Sequence, residues 1–112
     1  MRPAPPISLA DHRAQRLVAR LLLVQENLEA AAVHPEKADA LFDELERVLE
    51  ELGRNAEHVK SARLRAAIQR ACDAHERWWG AVSTSSERAA VLRYLRSIDA
   101  LARAAAKVTP RR

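Results

Sequence analysis

A chain of 112 residues that is 48% hydrophobic and carries a net charge of +4 has material for one hydrophobic core but not two. A single cysteine, Cys72, excludes an intramolecular disulfide, and the opening residues 1–9 hold three prolines and no apolar run that fits a secretory signal. Apolar runs such as 21–24 fall far short of the roughly 20 residues of a membrane span, so we expect no membrane association and a reducing, cytoplasmic location.

Pro3, Pro5 and Pro6 favour an extended, disordered lead-in over residues 1–8, and Ser8 is placed to cap a first helix over about 9–33. His34-Pro35 ends that helix. Pro35, Glu36 and Asp39 suit the first turn of a second helix over 35–52, with Gly53 as its C-terminal cap. A third helix is predicted over 55–80, ending at Gly80. Thr84 and Glu87 then read as a T-x-x-E capping box that opens a fourth helix over about 85–107, followed by a basic tail over 109–112. Short connections make neighbouring helices antiparallel. The expected fold is therefore all-α: an antiparallel up-and-down four-helix bundle occupying 9–108.

Apolar spacing agrees with that outline. In the second helix Ala38, Leu41, Phe42, Leu45, Val48, Leu49 and Leu52 recur at three and four, a narrow seam with charge elsewhere. The third carries Leu64, Ile68, Ala71, His75 and Trp78, and the fourth Val91, Leu95, Ile98, Ala102 and Ala105. The first is different: Leu17, Val18, Leu21, Leu22, Leu23, Val24 and Leu28 spread over more of its circumference than one partner can cover. That breadth calls for a central position or for a homodimer, so Leu17, Leu21, Leu22, Val24 and Leu28 are candidate interface residues. Trp79 joins them, because it cannot share the seam with its neighbour Trp78.

Charge is divided unevenly along the chain. Residues 35–53 hold seven acids against two bases, whereas 54–112 hold thirteen bases against five acids. Folding the first helix back on the second sets Arg13, Arg16 and Arg20 opposite 44–51. Folding the third back sets Lys60 and Arg63 near Glu46 and Glu50. Turning the fourth on the third brings Arg103 and Lys107 to the end that holds Lys60, Arg63 and Arg65, with Arg93 and Arg96 on the same helical face. These seven basic residues form a candidate site for an anionic partner. Tyr94 is the one aromatic on the fourth helix, so the base-stacking pattern of single-strand binders is missing and nucleic acid is not the favoured partner.

Catalytic and metal motifs are weak. Arg70 and His75 form an R-x-x-x-x-H similar to the motif of helical ribonucleases of the HEPN group, a spacing that sixteen arginines and four histidines produce by chance. Cys72 and His75 stand three apart but lack two further ligands for a structural zinc. His58 with Lys60, Ser61 and Ala62 resembles the phosphoacceptor segment of histidine phosphotransfer domains, although that family places its lysine three residues after the histidine. Trp78-Trp79-Gly80 holds a W-x-G similar to that of small secreted helical-hairpin proteins, at the wrong place in a chain of four helices. No catalytic residue, metal or cofactor is assigned, and no family. The expected function is a non-enzymatic interaction module, an adaptor, chaperone or small regulator, that binds an acidic protein partner or a second copy of itself. Its outline is shared with small export chaperones and with phage or bacterial inhibitor proteins. The alternative is non-specific binding of nucleic-acid phosphates through the basic end, and a third reading is histidine phosphotransfer.

Overall fold

Alanine, leucine, arginine and glutamate, all good helix formers, dominate this chain. A computed structural model describes residues 8–31 and 35–108. These residues form α1 (Leu9–Ala30), α2 (Ala38–Ala56), α3 (Ala62–Ala81) and α4 (Glu87–Ala106), with a 3-10 turn, Pro35–Lys37, leading into α2 and no strand among them. The N-terminal prolines, His34 and the tail arginines Arg111 and Arg112 lie outside the described residues. No helix is long and apolar enough to cross a membrane, among the described residues.

Helices pack chiefly in the cycle α1 on α2, α2 on α3, α3 on α4 and α4 on α1, as in a bundle. Leu21, Leu45, Leu52, Leu64, Ile68 and Leu101 are completely sealed in the centre. Each such side chain contributes roughly 2 kcal/mol through removal from water. The inner part of the α1 stripe, Leu17, Val18, Leu21 and Val24, is therefore covered within the chain by α2 and α4, while Leu22 and Leu23 stay exposed.

One end of the bundle is closed by polar chemistry. Ser8 caps α1 as its position implies, its hydroxyl accepting the Asp11 N–H at 3.1 Å and donating to the Asp11 carboxylate at 2.6 Å. Asp11 is 3% exposed. Its carboxylate also accepts the backbone N–H of Lys60 at 2.6 Å and of Ser61 at 3.1 Å. Asn55 donates to the Ala10 carbonyl at 2.9 Å beside it, and Val59 is buried under the same end. Burial acts to raise the Asp11 pKa, but the bonds from Ser8, Lys60 and Ser61, with the Lys60 ammonium, outweigh it and hold the carboxyl below the ordinary aspartate range.

Several expected boundaries are corrected. The first helix stops at Ala30, short of 33. Gly53 does not end the second helix, which continues to Ala56, and φ is negative at both glycines. The third helix starts at Ala62, not 55, because Ser61 accepts the Leu64 N–H at 3.2 Å and so supplies the cap, while Asn55 is engaged with α1. This shift moves Lys60 into the connection, and Glu46 and Glu50 border Cys72, His75 and Glu76 instead of Lys60 and Arg63. Arg20 does meet Glu44 at 3.3 Å, and Arg13 shares a depression with Glu51 and Arg54. Thr84 forms no capping box, since its hydroxyl is turned to the Ala81 carbonyl and α4 begins only at Glu87. Ser83, with φ 66°, takes the left-handed position after α3 that glycine usually occupies.

A Cβ at Gly53 would meet Cys72 Sγ at 3.7 Å, an ordinary contact, so Gly53→Ala should stabilise by about 0.5–1 kcal/mol, and Ser83→Gly by up to about 1 kcal/mol. Thermal melting decides the first, because alanine at a left-handed cap would lower the midpoint instead. Asp11→Ala strips two backbone N–H groups of their acceptor and should cost about 2–3 kcal/mol in urea denaturation near neutral pH. Because the folded pKa is depressed, this stabilisation is complete above the ordinary value of 3.8 and is lost as pH falls through the folded value. The gap between wild type and Asp11→Ala should accordingly close with acid.

Candidate functional site

Alanine sets the distance between α3 and α4. Ala67, Ala71 and Ala74 of α3 and Ala104 and Ala105 of α4 are buried, and this pairing is the most extensive in the bundle. Side chains of one methyl group let two helices approach closely, and the long residues on the rims are then brought face to face. A groove of about 290 Å³ results, lined by Arg70, Asp73, Ala74 and Arg77 from α3 and Arg93 and Ser97 from α4. Arg70 and Arg77 are seven residues apart, two turns or about 10.5 Å along the helix. Arg93 comes from the opposite wall.

None of the three guanidinium groups forms an ion pair among the described residues, and Asp73 is the one acid in the lining. The Ser97 hydroxyl donates to the Tyr94 carbonyl at 2.6 Å, which fixes that wall without using an arginine. Three like charges beside Ala74 repel one another, and the single Asp73 carboxylate offsets them only in part. An incoming anion would meet planar, bidentate donors whose long-range field is unspent.

The expected basic residues are arranged differently from this groove. Asp11 holds the Lys60 backbone, and the Gln15 side-chain amide donates to the Ala105 carbonyl at 2.8 Å. Lys60 and the last turn of α4, with Arg103 and Lys107, thus stand at the same end, where α1 begins. Arg65 is folded back, donating to the Val59 carbonyl at 2.8 Å. Lys60, Arg63, Arg96, Arg103 and Lys107 are exposed. Of the expected set, only Arg93 lines the recess. Arg70 and Arg77 also line it; they were not among the expected residues, although their seven-residue spacing on one helix was the available signal.

Among the interface candidates, Leu17, Leu21 and Val24 are sealed in the core, because α2 and α4 cover them, and they present no surface. Leu28 is half-buried, while Leu22 and Trp79 are exposed, as are Leu23 and Leu92. Trp79 is anchored rather than free. Its indole N–H donates to His75 Nε2 at 2.8 Å, inside a cluster where Phe42, Trp78, Trp79, His75 and Tyr94 have ring centroids 5.2–6.1 Å apart. Accepting at Nε2 makes the buried imidazole neutral with its proton on Nδ1, and burial holds its pKa below the ordinary histidine value.

The other chemical candidates are occupied structurally. Cys72 directs its thiol to the Leu49 carbonyl at 3.6 Å, and burial, with the charge of Asp73, pushes it up to about 11. Such a thiol is a poor nucleophile at neutral pH. His58 lies in the connection after α2, not on the first turn of the third helix, and its Nε2 is 3.3 Å from the Glu57 carboxylate, which would repel a phosphoryl group. Among the described residues no group of three or more His, Cys, Asp or Glu is placed to hold a metal ion. No protein-family model, curated protein or solved structure matches the chain.

His75 supplies a prediction with a definite sign. A histidine whose folded pKa is lowered contributes stability that is complete above its unfolded value of about 6.5 and is lost as pH falls from there towards the folded pKa. Protonation at Nε2 would also break the Trp79 bond. Wild type should therefore lose stability in urea between about pH 7.5 and about pH 5, with a parallel change in tryptophan emission. His75→Gln should show neither trend across that interval.

Proposed function

We propose that this chain is a non-enzymatic interaction module, an up-and-down antiparallel bundle that docks an acidic helix of a protein partner in the groove of Arg70, Arg77 and Arg93. The observation that carries the reading is the convergence of three arginines, without ion-pair partners among the described residues, on an alanine-floored recess. Two side chains at i and i+7 match carboxylates at i and i+7 on a helix laid along the groove, since both repeat over about 10.5 Å. The third arginine closes from the opposite wall and selects orientation. Guanidinium forks suit carboxylates through paired hydrogen bonds.

Inter-helix bonds support the antiparallel order. As residue number rises along α1 from Ala10 to Arg20, the partner on α2 falls from Asn55 to Glu44. From Gln15 to Gln25 the partner on α4 falls from Ala105 to Tyr94. A cytoplasmic setting fits a lone cysteine kept protonated by burial. For self-association, the exposed apolar side chains include Leu9, Leu22, Leu23, Trp79 and Leu92, because the inner leucines of α1 are already covered.

The test uses a fluorescent helical peptide of about 20 residues with glutamates at i and i+7, a scrambled peptide of equal charge, and a single-stranded DNA of about 12 nucleotides. Arg70→Ala and Arg93→Ala should each weaken binding of the patterned peptide five- to tenfold, while Arg63→Ala and Arg103→Ala leave it unchanged. Equal binding of the scrambled peptide would remove the helix reading. Tighter binding of the DNA, with an affinity that falls steeply with added salt and depends on Arg63 and Arg103, would replace it with phosphate recognition at the basic end.

A further inference from the structure

The two ends of the bundle are finished differently. At the Asp11 end the polar groups are satisfied and Val59 is 1% exposed. At the other end, among the described residues, the partly buried apolar side chains Leu28, Phe42, Trp78 and Leu95 all line one chamber of about 420 Å³. All four helices contribute walls, α1 through Leu28, α2 through Phe42, α3 through Trp78 and α4 through Leu95. Engineered apolar cavities of roughly 150 Å³ admit benzene, and small-molecule pockets start near 300 Å³, so the chamber has the size of a ligand of two to four rings.

Its polar groups are few. Gln25 spends its side-chain carbonyl on the Tyr94 hydroxyl at 3.2 Å, which ties α1 to α4 and keeps that wall fixed. Glu29, exposed, is the one charged residue in the lining. An apolar chamber with an indole and a phenyl ring in its walls and a carboxylate at its rim favours a flat hydrophobic body that carries a cation. A partner helix, about 10 Å across, is wide for a recess of about 420 Å³.

We infer that this chamber binds a small aromatic or polycyclic amine, its ring system between Phe42, Trp78, Leu28 and Leu95 and its ammonium group at Glu29. This site is separate from the arginine groove and does not depend on the reading given to that groove. The ligand's rings would complete a core that the chain leaves open, and Trp78 would sense its arrival.

The experiment titrates the full chain with three probes of one ring system, 1-pyrenylmethylamine, 1-methylpyrene and pyrene-1-carboxylate, following pyrene emission and energy transfer from tryptophan in a Trp79→Phe background. The amine should bind best and the carboxylate worst. Glu29→Gln should reduce the preference for the amine over the methyl compound about three- to fivefold and leave the methyl compound unchanged. Leu28→Trp should exclude all three. Should that variant fail to fold by circular dichroism, Leu95→Phe, a smaller filling change, should weaken all three at least fivefold. Absence of saturable binding, binding indifferent to both filling variants, or carboxylate bound as tightly as amine would each overturn the assignment. A mass by light scattering that doubles and excludes the probes would also overturn it, by making a second copy the occupant.

Discussion

The buried carboxylate of Asp11 sets the register on which the rest depends. It is nearly inaccessible, accepts two consecutive backbone N–H groups from the α2–α3 connection and is itself held by Ser8. A buried charge costs several kcal/mol unless its hydrogen bonds are complete, so the connection cannot slide along α1 without exposing both partners to that cost. The start of α3 at Ala62 follows from this anchor. The faces on which Arg70, His75 and Arg77 emerge follow in turn, because a helix whose first residue is fixed has its remaining side chains fixed at 100° intervals.

Charge is then distributed by what the helices need in order to approach. Between α3 and α4 the buried residues include Ala67, Ala71, Ala74, Ala104 and Ala105 beside larger groups such as Ile68, Tyr94 and Ile98, and arginines of both helices line one groove. Where α2 meets α3 the interface holds larger groups, Leu49, Cys72 and His75, and the acids Glu46, Glu50 and Glu76 lie along its margin. The modest formal charge of +4 thus hides one acidic margin and one basic groove on neighbouring sides of α3. Neither feature is needed for the fold. Like charges beside one another weaken it slightly, and only a partner of opposite sign turns that arrangement into a gain.

The helical class, the four-helix count and the inward residues of α2 were legible in the sequence, because Leu45, Val48, Leu49 and Leu52 repeat at the helical period and nothing competes with that signal. The ends were less so. Gly53 carries the usual mark of a helix stop, yet its backbone stays helical, since a glycine with negative φ costs only about 1 kcal/mol and the packing of Leu52 and Ala56 exceeds that. Ser61, the true cap of α3, was hidden among residues that also suggested a phosphoacceptor segment. That displacement changes which residues of α3 face α2. Reflecting the third helix on the second about Gly53 pairs Lys60 with Glu46, whereas Cys72 meets Leu49 and Glu46 borders His75 and Glu76, about fifteen residues further along the chain. Asp11 was unreadable for another reason: an acid in the first turn of a helix is ordinarily a surface residue that complements the helix dipole, and no local pattern distinguishes one that reaches across to another connection.

Sequence patterning also cannot tell a finished core from an unfinished one. Leu28, Phe42, Trp78 and Leu95 sit at inward positions of their helices and read as core, but burial depends on what closes the end of the bundle and not on periodicity. At the Asp11 end a short connection crosses the helix ends, and its backbone donors find a carboxylate; Val59 falls beneath it. At the other end Phe42 of α2 and Trp78 of α3 meet with ring planes 60° apart, between Leu28 of α1 and Leu95 of α4, and two flat rings at that angle leave a wedge between them. Replacing Phe42 and Trp78 by leucine and isoleucine would let the walls close. Retaining aromatic rings there keeps both a recess and a surface on which another ring can stack, and this distinguishes a chamber shaped for a guest from a core that merely frays.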